Sequence, residues 1–250
     1  MKASNKFVCL ALLLTLLSLL VYDLLLKAEF RSGRYKDPYR NYAALQFKDF
    51  DVLDLNSATV ANVKLIQGPF SVRVDQYALD YVKVKQEGKR LQVDVVFDGN
   101  YRGNQNPYIL VVSCPKLAEL NTGASYRAND QWVTDTIYRA DWNMRRVMMD
   151  GFTQDSLHIS QDYGSSIVLA NDRIRSLRAV IGKSAASGSD LVIQPGNQFQ
   201  EVVLDVEHNG KLELDNAMID VLKYRLGDSA RLVISGKAQN LLNNSKPGQK

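Results

Sequence analysis

The chain has 250 residues, 46% of them hydrophobic and 23% charged, which is enough apolar material for one sizeable core in one main globular domain. Its formal charge of +4 is small for that length, and Lys and Arg alternate with Asp and Glu along the sequence, which excludes the basic stripe of a nucleic-acid binder. The two cysteines, Cys9 in an apolar run and Cys114 in VVSCPKL, offer neither metal-ligand spacing nor a natural disulfide pair, and Cys114 reads as a small buried hydrophobe.

Residues 7–22, FVCLALLLTLLSLLVY, carry no charge, follow Lys2 and Lys6, and are extended past Asp23 by Leu24, Leu25 and Leu26. This run approaches the length that crosses a bilayer. The small residue near its end is Ala28, with Leu26 at the position where a cleavage site wants a second small residue, so residues 1–26 read as an uncleaved signal anchor and transmembrane helix. Cys9 lies too early in the run to be a lipoprotein attachment site. Lys27, Arg31, Arg34, Lys36 and Arg40 outnumber the basic residues before the run, and charge alone would keep the following domain inside. The short tail followed by a leucine-rich run is instead the layout of an exported chain, and that reading places the domain on the periplasmic or exterior side. Residues 27–46 form a polar juxtamembrane linker whose Tyr and Arg side chains suit a headgroup layer.

From residue 47 to 236 the apolar period is two. VKL at 63–65, VRV at 72–74, VKVK at 82–85, LQVDV at 91–95, LHI at 157–159 and LELD at 212–215 alternate like strands buried on one face. Between them lie polar corners: Gln67-Gly68-Pro69, Glu87-Gly88, Asp98-Gly99-Asn100 and Asn209-Gly210. Aligning IVL at 167–169, LVI at 191–193, LEL at 212–214 and LVI at 232–234 gives steps of 24, 21 and 20 residues, with second strands at 177–181, 202–206 and 221–226 between them. Each period holds two or more short strands and their turns, so the expectation is an all-β, single-stranded β-helix-like solenoid. Gly188, Gly210 and Gly227 are expected at equivalent corners with positive φ. Residues 237–250 read as a polar C-terminal tail.

The stretches ANVKLIQGPFSVRVD, DYVKVKQEGKRLQVDV and YILVVSCPKLAELNTGAS, with the later Gly/Ser coils, resemble the auto-transporter adhesin, head GIN domain family. The resemblance covers roughly residues 47–236. It implies a β-helix-like fold and an exported, envelope-associated protein of the Bacteroidetes type, and it brings no catalytic or binding residues with it. The adhesin label is itself a fold-level analogy.

Chemical motifs are sparse. Gly182-Lys183-Ser184 resembles the end of a phosphate loop, but Leu177 stands where that loop needs its first glycine, so a solenoid corner is the better account. His158 and His208 stand 50 positions apart, each among alternating apolar residues, and read as solvent-facing strand positions. Ser125 lacks the frame of a nucleophile elbow. The sequence thus indicates no catalytic residue, no metal site and no cofactor. The rival is a polysaccharide hydrolase or lyase using Asp155, Asp162 and Asp172, whose spacings of 7 and 10 do not match the coil period. A second rival is a membrane-bound sensor or scaffold whose protein partner docks near residues 27–46.

Residues 125–149, SYRANDQWVTDTIYRADWNMRRVMM, hold both tryptophans, two tyrosines, four arginines and three methionines. Two readings are open. Trp132, Ile137, Trp142 and Met148 could fill a wide part of the core. Alternatively Trp132, Tyr138, Trp142, Arg145 and Arg146 form a binding surface, since Trp, Tyr and Arg make interaction hot spots and aromatic faces stack on sugars. The expected protein is a non-enzymatic, membrane-anchored envelope module, its partner a polysaccharide or another envelope protein.

Overall fold

A computed structural model of the chain describes residues 3–97, 108–137 and 145–240. Two compact units divide it, residues 1–42 and residues 43–250.

The first unit is built on α1 (Ala3–Ser32), a leucine-rich helix without an internal Gly or Pro. It runs beyond the expected end at residue 26 and stops at Gly33, whose φ of 68° is the left-handed geometry that ends helices. At 1.5 Å per residue the helix is about 45 Å long, more than the roughly 30 Å of a bilayer's hydrocarbon core. The span Asn5–Ser32 is long and apolar enough to cross a membrane, a test that a signal sequence also passes. Its polar side chains are internally satisfied where they could be: Thr15 Oγ1 donates to the Ala11 carbonyl at 2.9 Å and Ser18 Oγ to the Thr15 carbonyl at 2.8 Å.

The second unit is β-structure. Its strands in chain order are β1 (Tyr42–Leu45), β2 (Val52–Leu55), β3 (Val63–Gln67), β4 (Ser71–Asp75), β5 (Val82–Glu87), β6 (Arg90–Phe97), β7 (Leu110–Cys114), β8 (Glu119–Thr122), β9 (Ser125–Ala128) and β10 (Gln131–Thr134). There follow β11 (Val147–Asp150), β12 (Thr153–Gln161), β13 (Ser166–Ala170), β14 (Arg173–Ile181), β15 (Asp190–Ile193), β16 (Gln198–Val206), β17 (Lys211–Asp215), β18 (Met218–Leu226) and β19 (Arg231–Ser235). Among the described residues they form two sheets. The first runs β1-β4-β7-β3-β11-β13-β15-β17-β19, the second β10-β9-β6-β2-β8-β12-β14-β16-β18, with β5 added on β6.

From β11 onward the chain alternates between the sheets, and every strand lies parallel to its counterpart one repeat away. The expected steps of 24, 21 and 20 residues are the observed register, since Ile167 faces Leu191, Leu191 faces Leu212 and Leu212 faces Leu232. Two departures correct the sequence reading. The strands make two open sheets rather than a closed single-stranded solenoid. The stack is also not in chain order: β2 lies between β6 and β8, and β3 between β7 and β11.

In-register burial holds the unit together. Leu91, Leu53, Leu120, Ile159, Ala179 and Leu204 form one row across the second sheet. Val112, Leu65, Met149, Leu169, Ile193 and Leu214 form another across the first. All of them are buried, and each large side chain contributes about 1.5–3 kcal/mol by leaving water.

The corners are columns too, though not the expected one. After successive strands of the first sheet come Gly151, Asn171, Gly196, Asn216 and Gly236, all with positive φ, and a parallel column after the second sheet contains Tyr163, Gly182 and His208. Gly188, Gly210 and Gly227 are absent from the positive-φ residues. They are required by close approach instead: a Cβ on Gly210 would stand 2.9 Å from the Glu207 carbonyl oxygen, and one on Gly188 3.3 Å from Ile137 Cα. His208, read as a strand position, is a corner residue whose Nδ1 lies 2.7 Å from the Gly182 carbonyl.

Candidate functional site

The outward side chains of the second sheet come into register just as the buried ones do. Asp54 on β2, Asn121 on β8 and Ser160 on β12 face one another, with Glu119 beside His158. The Asn121 amide donates to Asp54 Oδ1 at 2.8 Å and to Glu119 Oε1 at 2.7 Å, while Arg90 grips both Asp54 oxygens at 2.6 and 2.7 Å. Beyond the end of β2, the Asn56 amide donates to Asp94 Oδ1 on β6 at 2.8 Å. The result is a lattice of carboxylates and amides whose orientations are fixed by one another.

A hairpin provides the wall. β9 and β10 pair through a two-residue loop, Asn129 and Asp130, both with positive φ (49° and 61°), the geometry of a type I′ turn. The Arg127–Asp130 ion pair at 2.7 Å and the Ser125–Thr134 hydroxyl bond at 2.9 Å brace it at either end. The chain then crosses the repeat's corners, where the Gly164 N–H donates to the Asp135 carbonyl at 2.7 Å and the Gly188 N–H to the Thr136 carbonyl at 2.8 Å. Gly164 has no room for a side chain here, since a Cβ on it would lie 2.8 Å from the Ile137 carbonyl carbon, and one on Gly188 would press on Ile137 at 3.3 Å.

Between floor and wall lies an open groove of about 670 Å³, lined by Asn56, Asp94, Glu119, Asn121, Ser125, Trp132, His158, Ser160, Asp162, Tyr163 and Lys183 among others. Trp132 on β10 is 71% exposed on this groove. At its far side Asp162 accepts bonds from the Ser184 N–H (2.9 Å), the Ser184 hydroxyl (2.6 Å) and the Tyr163 N–H (2.8 Å). Burial pushes the Asp162 carboxyl up, but these hydrogen bonds more than offset it and hold the group below its ordinary value. Gly182-Lys183-Ser184 is therefore a corner that serves Asp162.

The core reading of residues 125–149 fails at Trp132 and Ile137. Trp132, on the outer edge strand β10 of the second sheet, is 71% exposed, and Ile137 is 58% exposed. Met148 is half-buried. Tyr138 and Trp142 lie outside the described residues. Arg145 and Arg146 are half-buried and do not line the groove. The Arg146 N–H donates to Asn62 Oδ1 at 3.1 Å and its carbonyl accepts the Val63 N–H at 3.1 Å, which docks this segment beside β3.

Asp155, Asp162 and Asp172 do not converge. Asp155 pairs with Arg175 at 3.2 Å on the surface, Asp172 is fully buried, and only Asp162 reaches the groove. Among the described residues, no cluster of three His, Cys, Asp or Glu side chains could hold a metal ion. The sequence reading missed Asn56, Asp94, Glu119, Asn121 and Ser160. Their signal was the polar position flanked by buried neighbours in LDLN, LQVDV and ELNT, which shows outward placement but not which strands stack.

No protein-family model matches the chain, that of the head GIN domain included, and no curated protein matches it. Among solved structures it is similar to a protein of Bacteroides fragilis provisionally named an adhesin, at 10% identity over 78% of this chain and 96% of the other, with a TM-score of 0.42. A second provisionally named adhesin, from Parabacteroides distasonis, shares 14% identity over 76% of this chain and 95% of its own length at a TM-score of 0.34. A third structure, from the same organism and provisionally named a lipid-binding protein, shares 15% identity over 78% and 96% of the two chains at a TM-score of 0.25.

Proposed function

We propose that the chain is a non-enzymatic, membrane-anchored envelope protein whose β unit, a β-helix-like stack of parallel coils, acts as an adhesin-like interaction module facing the periplasm or exterior. The carrying observation is Trp132, a large aromatic left 71% exposed by a braced hairpin at the rim of a polar groove. Trp is among the residues most enriched in binding hot spots, and an exposed ring keeps its face available to a partner. The anchor is α1, whose apolar run from Phe7 to Leu26, broken only by Asp23, is long enough for a bilayer.

A hydrolase or lyase is disfavoured by the state of the carboxylates. A general acid needs a raised pKa, and Asp162 is held below its ordinary value by three hydrogen bonds. Glu119 and Asp94 each spend an oxygen on a neutral amide.

Reporter fusions after residue 60 test the topology. A periplasmic enzyme should be active and a cytoplasmic one inactive there, with the full-length chain resisting alkaline extraction from membranes. A cytoplasmic signal, or a soluble product beginning near Glu29, would overturn the anchored envelope reading.

A further inference from the structure

We infer that the groove under Trp132 is a saccharide-binding site that takes a chain of neutral or amino sugars and rejects acidic ones. The inference deepens the interaction-module reading and rests on it for the ligand's place outside the cytoplasm. Three observations converge. The first is the platform. Trp132 offers a free aromatic face on a hairpin fixed by its type I′ turn, its terminal hydroxyl bond and the two glycine contacts. The flat C–H face of a pyranose packs on such a ring, as any apolar face with polar edges does.

The second is the floor. Sugar hydroxyls donate and accept at once, so they suit a surface rich in acceptors of fixed direction with a few donors between. Asn121 commits both amide N–H groups and Asn56 one of its two to carboxylates, which turns their carbonyl oxygens toward accepting and orients them in advance. The Ser160 hydroxyl and the His158 ring add groups that can do either. Strand-borne positions in a parallel ladder do not shift, so the spacing between these groups is set by the fold.

The third is charge. Asp94, Glu119 and Asp162 line the groove against Lys183. That balance repels uronates, sulfated glycans and phosphate-bearing polymers, and it welcomes neutral hydroxyls or an amino sugar. The groove's 670 Å³ lies within the range of small-ligand sites, and its open form admits a chain that continues past it.

The test uses the full-length chain in detergent on an array of neutral, amino-sugar and acidic glycans, followed by titration of the best ligand in solution. Binding to neutral or amino-sugar glycans is expected, with at least a tenfold loss in Trp132→Ala, partial recovery in Trp132→Phe and a severalfold loss in Ser160→Ala. The melting temperatures of all three variants should stay within about two degrees of the parent, since exposed substitutions perturb stability little. A blank array, retention confined to acidic glycans, or undiminished binding by Trp132→Ala would each overturn the inference. The topology reporter is independent: glycan binding by a chain whose reporter is cytoplasmic would sink the envelope reading and leave the saccharide site standing.

Discussion

Replacing Asp172 by Asn should stabilise the protein by more at pH 8 than at pH 5. Asp172 sits fully buried at the corner between β13 and β14. Its Oδ1 accepts the Phe152 N–H at 2.8 Å and its own N–H donates to Asn197 Oδ1 at 2.9 Å, but Oδ2 has no hydrogen-bond partner among the described residues. Burial raises the carboxyl from 3.8 to about 7, against the Phe152 N–H that lowers it and with the nearby Asp150 charge that raises it further. The folded pKa exceeds the unfolded one, so the folded state binds the extra proton. The associated stability is fully present below about pH 4 and is lost as pH rises through about 7. At about 1.4 kcal/mol per pH unit across that window, the loss is at most about 4 kcal/mol. Asn keeps the acceptor for Phe152 and removes the buried charge. Chemical denaturation of the full chain, followed through its β-sheet circular dichroism, should show parent stability falling from pH 5 to pH 8 and a flatter profile in Asp172→Asn. A residual slope of the same sign is expected from Asp190, which burial also raises. Equal destabilisation of the variant at both pH values would refute the reasoning, because it would mean that the carboxylate is charged and paired in the folded protein.

Two further predictions address other parts of the fold. In Gly164→Ala the new Cβ would stand 2.8 Å from the Ile137 carbonyl carbon and 2.9 Å from the Asp135 oxygen, so the crossing segment must shift. Glycan binding should fall with a stability loss of about 1–3 kcal/mol, and unchanged binding would show that the hairpin is positioned by something else. In a Cys9→Ser background Cys114 should resist alkylation until the protein is unfolded, because burial pushes its thiol up to about 12, and rapid labelling of the native protein would contradict that burial.

Strand positions were legible because each buried apolar residue announces itself by alternation, and a repeat period read off Ile167, Leu191, Leu212 and Leu232 is automatically a register when the strands are parallel. Corner chemistry was legible in kind only. Gly, Asn and even Tyr163 and His208 can fill a left-handed corner, so the glycines that stand out in the sequence are not all the ones with positive φ. The order of the first coils was hidden, because nothing local distinguishes a strand that stacks on its predecessor from one that stacks on the far side of it. Asp54, Glu119 and Asn121 suffered the same way. Each is an ordinary outward polar residue alone, and only the pairing of β2 with β8 makes them a cluster.

The groove's position follows from where the repeat is interrupted. A parallel stack presents flat faces, because outward side chains at equivalent positions rise to the same height in every coil. Between β12 and β13, β16 and β17, and β18 and β19 the chain turns within residues 162–165, 207–210 and 227–230, too short to leave the stack. Between β8 and β11 it uses residues 123–146 and spends part of them on the β9–β10 hairpin. That hairpin puts Trp132 on the groove beside the outward residues of β8 and β12, and it is what turns a flat face into a concave one. β10 is an edge strand with β9 as its one partner, so it is free to carry a Trp outward, provided the corner its chain then crosses stays as bare as Gly164.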